Sequence, residues 1–344
     1  MKQTTPETKK EHFHAIVKRE ASHCGFWHGY PNPESIGRLQ SYFQVKDDFE
    51  LGLKLNSTCR WVMPEDHRVW ANPKRTMFDE FGGRERTSLS EPGVFADVED
   101  VAEIERFRWP RLEELDFGET LAEIERTVAA GQAVLSGMWS CFYHKVCNFF
   151  GMEDYFIKMH TTPNVVEAVT RHVVDFYLEA NKQLFEQAGD RIDAFFLGND
   201  LGTQLDLLIS PEHFEHFVLP YFRELADQAH HYGYRVVFHS CGAIDRVIPR
   251  LIDSGVDVLH PIQARAKNMD AAALAKKYNG KIVFMGGVDT QHILPFETTQ
   301  SVRDEVRRLK DLLGPNYIVS PSHESLLPNV PPENIVAMAE AAAE

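Results

Sequence analysis

The run VVFHSCGAID, residues 236–245, ends an apolar stretch in His239 and Cys241. On a strand, side chains at i and i+2 project to the same face. An imidazole and a thiol therefore stand side by side where a strand meets a glycine-containing loop, and the pair can chelate a metal without distorting the backbone. Zinc takes thiolate and imidazole together, and catalytic zinc sites use three protein ligands plus an open position. Other polar residues gather at the ends of apolar runs: Asn199 and Asp200, His260 and Gln263, Asp289, Gln291 and His292, then Ser320, Ser322 and His323. HCGFWH (23–28) and CFYHKVC (141–147) also place Cys near His. Alternation separates Cys24 from His23, so the first reads as pocket wall. In the second, Cys141 and His144, with nearby Trp139, read as pocket lining and Cys147 as structural.

The elements that must position these groups are short apolar runs alternating with amphipathic stretches. Eight runs read as strands: 24–29, 57–64, 132–137, 193–199, 234–240, 256–261, 281–287 and 317–322. Their continuous apolarity suits a parallel sheet buried on both faces. Ser210 and Pro211 open a helix that stops at Gly233, and SVRDEVRRLKDLLG sets Val302, Val306, Leu309 and Leu313 on one stripe closed by Gly314. Eight strand–helix alternations predict an α/β fold, a (β/α)8 TIM barrel, in which catalytic groups come from the C-terminal strand ends. Residues 1–344 are expected to form a single barrel domain. Residues 64–131, rich in Arg and Glu, read as an insertion after the second strand: a hairpin near 74–95, then helices, with FADVEDVAEIERFRWP a short helix ended by Pro110.

Composition narrows the partners. The formal net charge is −15, which disfavours a phosphate backbone or an anionic membrane. No apolar run approaches the ~18 residues that span a bilayer, and the polar start MKQTTPETKK has no signal-peptide core behind it. Cys24, Cys59, Cys141, Cys147 and Cys241 are odd in number and scattered, unlike a disulfide framework. A soluble cytoplasmic protein with free thiols is expected, with neither nucleic acid nor membrane as partner.

HSCGAIDRVIPRLIDSGVDVLHPIQ, with GNDLGTQ before it and MGGVDTQHILP and VSPSHESLLPNVPPENIVAM after it, resembles the uroporphyrinogen decarboxylase-like superfamily. Within that superfamily, HSCG is similar to the cobamide-dependent methyltransferase branch. The resemblance implies a barrel and a zinc site in which His239 and Cys241 match the branch's HxC pair. A second cysteine near the C-terminus completes that site in the branch; VSPSHESL puts His323 in its place. His323 is therefore either the third ligand or a counterpart of the histidine that decarboxylases carry nearby. The decarboxylases' RQAGR-type motif corresponds here to GFWHGYPNPESIGRLQ, with the lone Arg38, whereas a polycarboxylate substrate needs a fork of guanidinium donors.

The expectation is a zinc-dependent methyltransferase, moving a methyl group between a small substrate (a methoxy or methyl donor, or a thiol) and a cobamide. DxHxxG, the signature of a domain that carries its own corrinoid, is missing, so the corrinoid is expected on a partner protein; a homodimer is also compatible. His239, Cys241 and His323 are the candidate metal ligands, and Asp200 and Asp289 the candidate proton-handling or ligand-orienting groups. Gln204, Gln263 and Gln291 would contact cofactor or substrate through neutral hydrogen bonds, and Trp27, His28, Tyr30, Trp139 and His144 would line the substrate pocket. The alternative is a metal-free decarboxylase or lyase of the parent fold.

Overall fold

The computed structural model describes residues 8–67, 69–70, 76–86, 88 and 90–344. Eight parallel strands form the barrel: β1 (Gly25–Phe26), β2 (Cys59–Val62), β3 (Ala133–Ser136), β4 (Ala194–Gly198), β5 (Arg235–His239), β6 (Val258–Ile262), β7 (Val283–Val288) and β8 (Tyr317–Pro321). Their hydrogen-bonded order is β1-β8-β7-β6-β5-β4-β3-β2, so the ring runs unbroken from β2 round to β1. The remaining gap is bridged just ahead of β2, where Thr58 N–H donates to the Phe26 carbonyl at 2.7 Å and the Thr58 hydroxyl accepts Phe26 N–H at 3.0 Å. Each strand matches one of the eight apolar runs in the sequence. The architecture is the (β/α)8 TIM barrel.

Alternation along the strands sorts side chains inward and outward. Trp27, Trp61, Leu135, Phe196, Val237, Val258, Met285 and Ile318 fill the interior, while the other face of the strands packs beneath the surrounding helices. The N-terminal end is plugged by the helix Lys9–Lys18, which inserts Phe13, Ile16 and Val17 into the interior cluster. A capping box fixes where it starts: the Thr8 hydroxyl accepts Glu11 N–H at 3.1 Å and Glu11 accepts Thr8 N–H at 2.8 Å. Lys10 N–H then donates to Gly131 O at 3.0 Å, just ahead of β3.

The helices differ from expectation in two places. The stretch after Ser210 is two helices, Pro211–Phe217 and Leu219–His231. Pro220 has no N–H to continue the first and its ring clashes with the preceding turn, so the axis breaks at Val218. The segment between β2 and β3 also divides otherwise. Gly118–Ala129 packs on β2 and β3 as a barrel helix, leaving the non-barrel excursion to end near Phe117. The expected short helix is Val101–Glu105, capped by Asp100. The expected hairpin falls partly outside the described residues. Among those described between 76 and 95, the chain runs through turns without a strand ladder. No helix among the described residues is long and apolar enough to cross a membrane.

Phe13 is fully buried at the barrel's closed end. Phe13→Ala should cost about 3–5 kcal/mol, the usual loss for emptying a packed aromatic site. Urea unfolding reads this directly, and an unchanged midpoint would show that the helix does not plug the barrel.

Candidate metal centre

Val237 faces the barrel interior, so two residues on, His239 faces the same way at the end of β5, and Cys241 follows past the strand. Register sets its neighbours: His239 lies between Gly198 of β4 and His260 of β6. The glycine is required there. A Cβ on Gly198 would lie 2.3 Å from the Trp139 ring; without it, that indole stands edge-on to the His239 imidazole, ring centroids 5.4 Å apart. Gly242, at φ +94°, does similar work for the loops. Its missing Cβ would meet the Gly202 carbonyl at 2.3 Å, so the β4 and β5 loops pack backbone to backbone. That contact brings Asp200 to Cys241, whose N–H donates to Asp200 Oδ1 at 2.9 Å, while Ser240 Oγ accepts Leu201 N–H at 3.0 Å. Gln263 Oε1 accepts Gly242 N–H from the β6 side.

Six side chains converge. His239 Nε2 is 3.2 Å from Asp200 Oδ1 and 3.5 Å from Cys241 Sγ. His239 Nδ1 is 3.0 Å from His260 Nδ1 and 3.5 Å from Glu324 Oε2. Glu324 Oε2 also lies 3.3 Å from His323 Nδ1. Donor atoms of Asp200, His239 and Cys241 fall within 4.8 Å of one another, as do those of Cys241, His323 and Glu324. Cys241 is common to both groups. The loop after β8 is held in place by a two-residue parallel pairing of Ser325–Leu326 with Tyr30–Pro31, and by Tyr30 N–H donating to Glu324 O at 2.6 Å.

The electrostatics of the cluster are mutual. Burial opposes charge on His239, but Glu324, Cys241 and Asp200 outweigh it and raise the imidazole well above its ordinary value. Burial likewise pushes Asp200 up, yet His239, the Cys241 N–H and His144 hold it well below the usual carboxylate range. Cys241 is pushed up by burial and pulled lower overall by His239 and His323. His323 is raised, mainly by Cys241 and Glu324 acting against burial. One thiol, two imidazoles and two carboxylates at this spacing form a donor set that fits zinc. The cluster's tendency to hold positive charge fits a cation as well.

The remaining expected site residues divide. Trp139 and Gln263 stand at the cluster, and His144 couples to Asp200, with burial as the main cause of its lowered pKa. Trp27 is inside the barrel, edge-on to His260 at 5.3 Å. His28 is a correction: its ring nitrogens bind Ser57 Oγ at 2.9 Å and Asp48 at 3.0 Å, so it is a buried brace between loops and not pocket wall. Tyr30 donates to Asp66 at 2.7 Å and lines, with Trp61, a cleft of about 350 Å³. Asp289 accepts from Arg265 at 2.7 Å and from the Gln291 N–H at 2.8 Å; it caps its own loop. Gln204 and Gln291 are exposed on their loops.

Sequence reasoning missed Glu324, adjacent to a residue it had singled out, and gave His260 no role. It also missed Glu65, three residues past β2. Glu65 Oε1 accepts Trp139 N–H at 2.9 Å. Its side chain is exposed, yet desolvation by the protein around it pushes its carboxyl up to about 7.

The thiols differ in a testable way. Burial pushes Cys24, Cys141 and Cys147 up to about 11 and Cys59 higher still, whereas Cys241 is lowered. A depressed pKa keeps thiolate present at lower pH, until the pH falls through that pKa. In metal-free protein, iodoacetamide at pH 7 should therefore label Cys241 first, and His239→Ala should slow that labelling. Peptide mapping that finds another cysteine modified first would contradict the cluster's electrostatics.

Comparison with known proteins agrees with this architecture. No curated protein matches the chain. A solved methyltransferase from Methanosarcina mazei is similar in fold over 98% of each chain, with a TM-score of 0.62 and 15% sequence identity. The sequence model of uroporphyrinogen decarboxylase (URO-D) matches residues 84–344, about three-quarters of the chain. The chain therefore belongs to the uroporphyrinogen decarboxylase (URO-D) family.

Proposed function

We propose that this protein is a zinc-dependent methyltransferase, moving a methyl group between a small substrate and a cobamide carried by a partner protein. The observation behind the reading is the convergence of Cys241, His239 and His323 at the barrel mouth, with two carboxylates beside them. Bound there, zinc would stabilise the anion of the heteroatom that gives up or receives the methyl group.

The chain's own residues then have distinct tasks. Cys241, His239 through Nε2, and His323 would hold the metal. His323 Nδ1 accepts Ser325 N–H at 3.1 Å and lies 3.3 Å from Glu324 Oε2; ligation through Nε2 would need the ring's hydrogen on Nδ1, facing Glu324. Asp200 stays ionised near neutral pH, with no proton to give and little tendency to take one, which suits it to orienting its neighbours and offsetting positive charge. Glu65, at about 7, can give or take a proton. Trp139 and Trp61, ring centroids 4.9 Å apart, form an aromatic wall beside His239.

The decarboxylase alternative draws on family membership, but the arginines near the mouth do not suit it. Arg38 is turned to the Val330 carbonyl, and Arg60 is already paired with Asp48 at 2.9 Å and Glu123 at 3.1 Å. Neither offers a free fork to a polycarboxylate.

Purified protein should carry about one zinc per chain, and Cys241→Ser should lose it. His323→Ala should weaken zinc binding by ~10-fold or more. His323→Cys should keep zinc yet slow demethylation of an oxygen-linked donor. Turnover would be screened with free methylcobalamin or reduced cobalamin against thiols, methoxy-aromatics, methanol and methylamines. Undiminished turnover by metal-free protein, or decarboxylation without metal, would overturn the reading.

A further inference from the structure

His260 is fully buried inside the barrel, and its Nδ1 meets His239 Nδ1 at 3.0 Å. Two acceptor lone pairs repel, so at this distance one of the two nitrogens carries a hydrogen. With both rings neutral, as metal ligation requires of His239, each imidazole has a single N–H, which leaves two arrangements. In one, His260 donates from Nδ1, and His239 keeps its hydrogen on Nε2, facing Asp200 and Cys241. In the other, His239 donates from Nδ1, and its Nε2 presents a lone pair to Cys241 and Asp200. Only the second leaves His239 able to ligate a metal on the side where the other donors lie.

We propose that His260 is the positioning residue of the metal centre: its Nδ1 accepts the His239 Nδ1 hydrogen and so directs the Nε2 lone pair of His239 at the metal position. This rests on the metal-site reading above and adds to it the group that sets the ligand's tautomer. Glu324 Oε2 is the rival acceptor, but it lies farther from His239 Nδ1, at 3.5 Å, and forms no hydrogen bond. His260 Nε2, which then carries the hydrogen, has no polar partner among the described residues. Its surroundings are aromatic: the His260 ring stands at 70° to Trp27 and 87° to Phe196, with centroids 5.3 and 5.4 Å away. An N–H is tolerated against π-systems, whereas a lone pair there would be left bare. The aromatic packing of His260 is thus compatible with the tautomer that metal ligation by His239 needs.

The test compares two substitutions of nearly equal size. Asn can place its amide oxygen where His260 Nδ1 lies; Leu places a methyl group there. Zinc affinity is measured by competition with a chromophoric chelator, and the cobalt-substituted proteins are compared by absorption spectrum. His260→Leu should weaken zinc by ~10-fold or more, the usual cost of removing a partner that orients a ligating histidine. His260→Asn should retain most of the affinity and the wild-type cobalt spectrum. A second measurement needs no variant: long-range 1H–15N spectra of histidine-labelled, zinc-loaded wild type should show His239 protonated at Nδ1. Equal affinity for wild type and Leu, equal losses for Leu and Asn, or His239 protonated at Nε2 would overturn the positioning role while leaving the metal site standing. Wild type that binds no zinc would overturn both.

Discussion

The burial of one imidazole organises the mouth of this barrel. His239 ends an inward-facing row and is almost without solvent, so its polar atoms must be matched by protein or cost several kcal/mol. The match comes from three directions: Asp200 from the β4 loop, His260 from β6, and Glu324 from the loop after β8. Asp200 and Glu324, with Cys241, raise the affinity of His239 for a proton. The same negative field acts on any cation placed among them. A divalent ion there would replace the imidazolium charge rather than add to it, and it would satisfy a thiolate that His239 and His323 otherwise stabilise alone. The cluster is therefore preorganised for positive charge, which is the electrostatic condition for a metal site.

Holding those donors within a few ångströms places demands on backbone far from the chemistry. The loops after β4 and β5 approach because Gly202 and Gly242 have no side chains to keep them apart. The loop after β8 is stitched to the one after β1 by a parallel pairing of two residues on each side. That pairing lies next to the weakest seam of the barrel, where β1 meets β2 through Thr58 instead of a ladder. Position of the His323–Glu324 loop and closure of the barrel are thus coupled through the same few residues around Phe26–Pro31.

Strand number and the pairing of His239 with Cys241 were legible because both follow from period two in apolar runs, a local property of the chain. The convergence of Asp200 on Cys241 was legible only as a strand-end position. What escaped depends on contacts between distant loops. His28 looked like a pocket residue beside Trp27, but its partners Ser57 and Asp48 lie beyond the next helix, and nothing in HCGFWH announces them. Asp289, Gln204 and Gln291 sit at strand ends as expected, yet a strand-end residue can fold back on its own loop, as Asp289 does onto Gln291 and His292. Pro220 was legible in principle. A proline ten residues into a presumed helix signals a break by itself.

The replacement of an expected second cysteine by His323 changes the centre less in charge than in softness. A thiolate exchanged for a neutral imidazole removes one negative charge from the metal's own ligands. Glu324, one residue on, sits 3.3 Å from the His323 ring and 3.5 Å from that of His239. At that range its negative charge would offset through space much of the charge withdrawn from the ligands. What does not return is the polarisable sulfur. A metal held by one sulfur and two nitrogens is harder than one held by two sulfurs, and it has greater affinity for oxygen and nitrogen than for a further thiolate. Under the proposed zinc-methyltransferase reading, ligand softness would therefore favour removal of a methyl group from an oxygen- or nitrogen-linked donor, with Glu324 keeping the total charge of the site nearly constant.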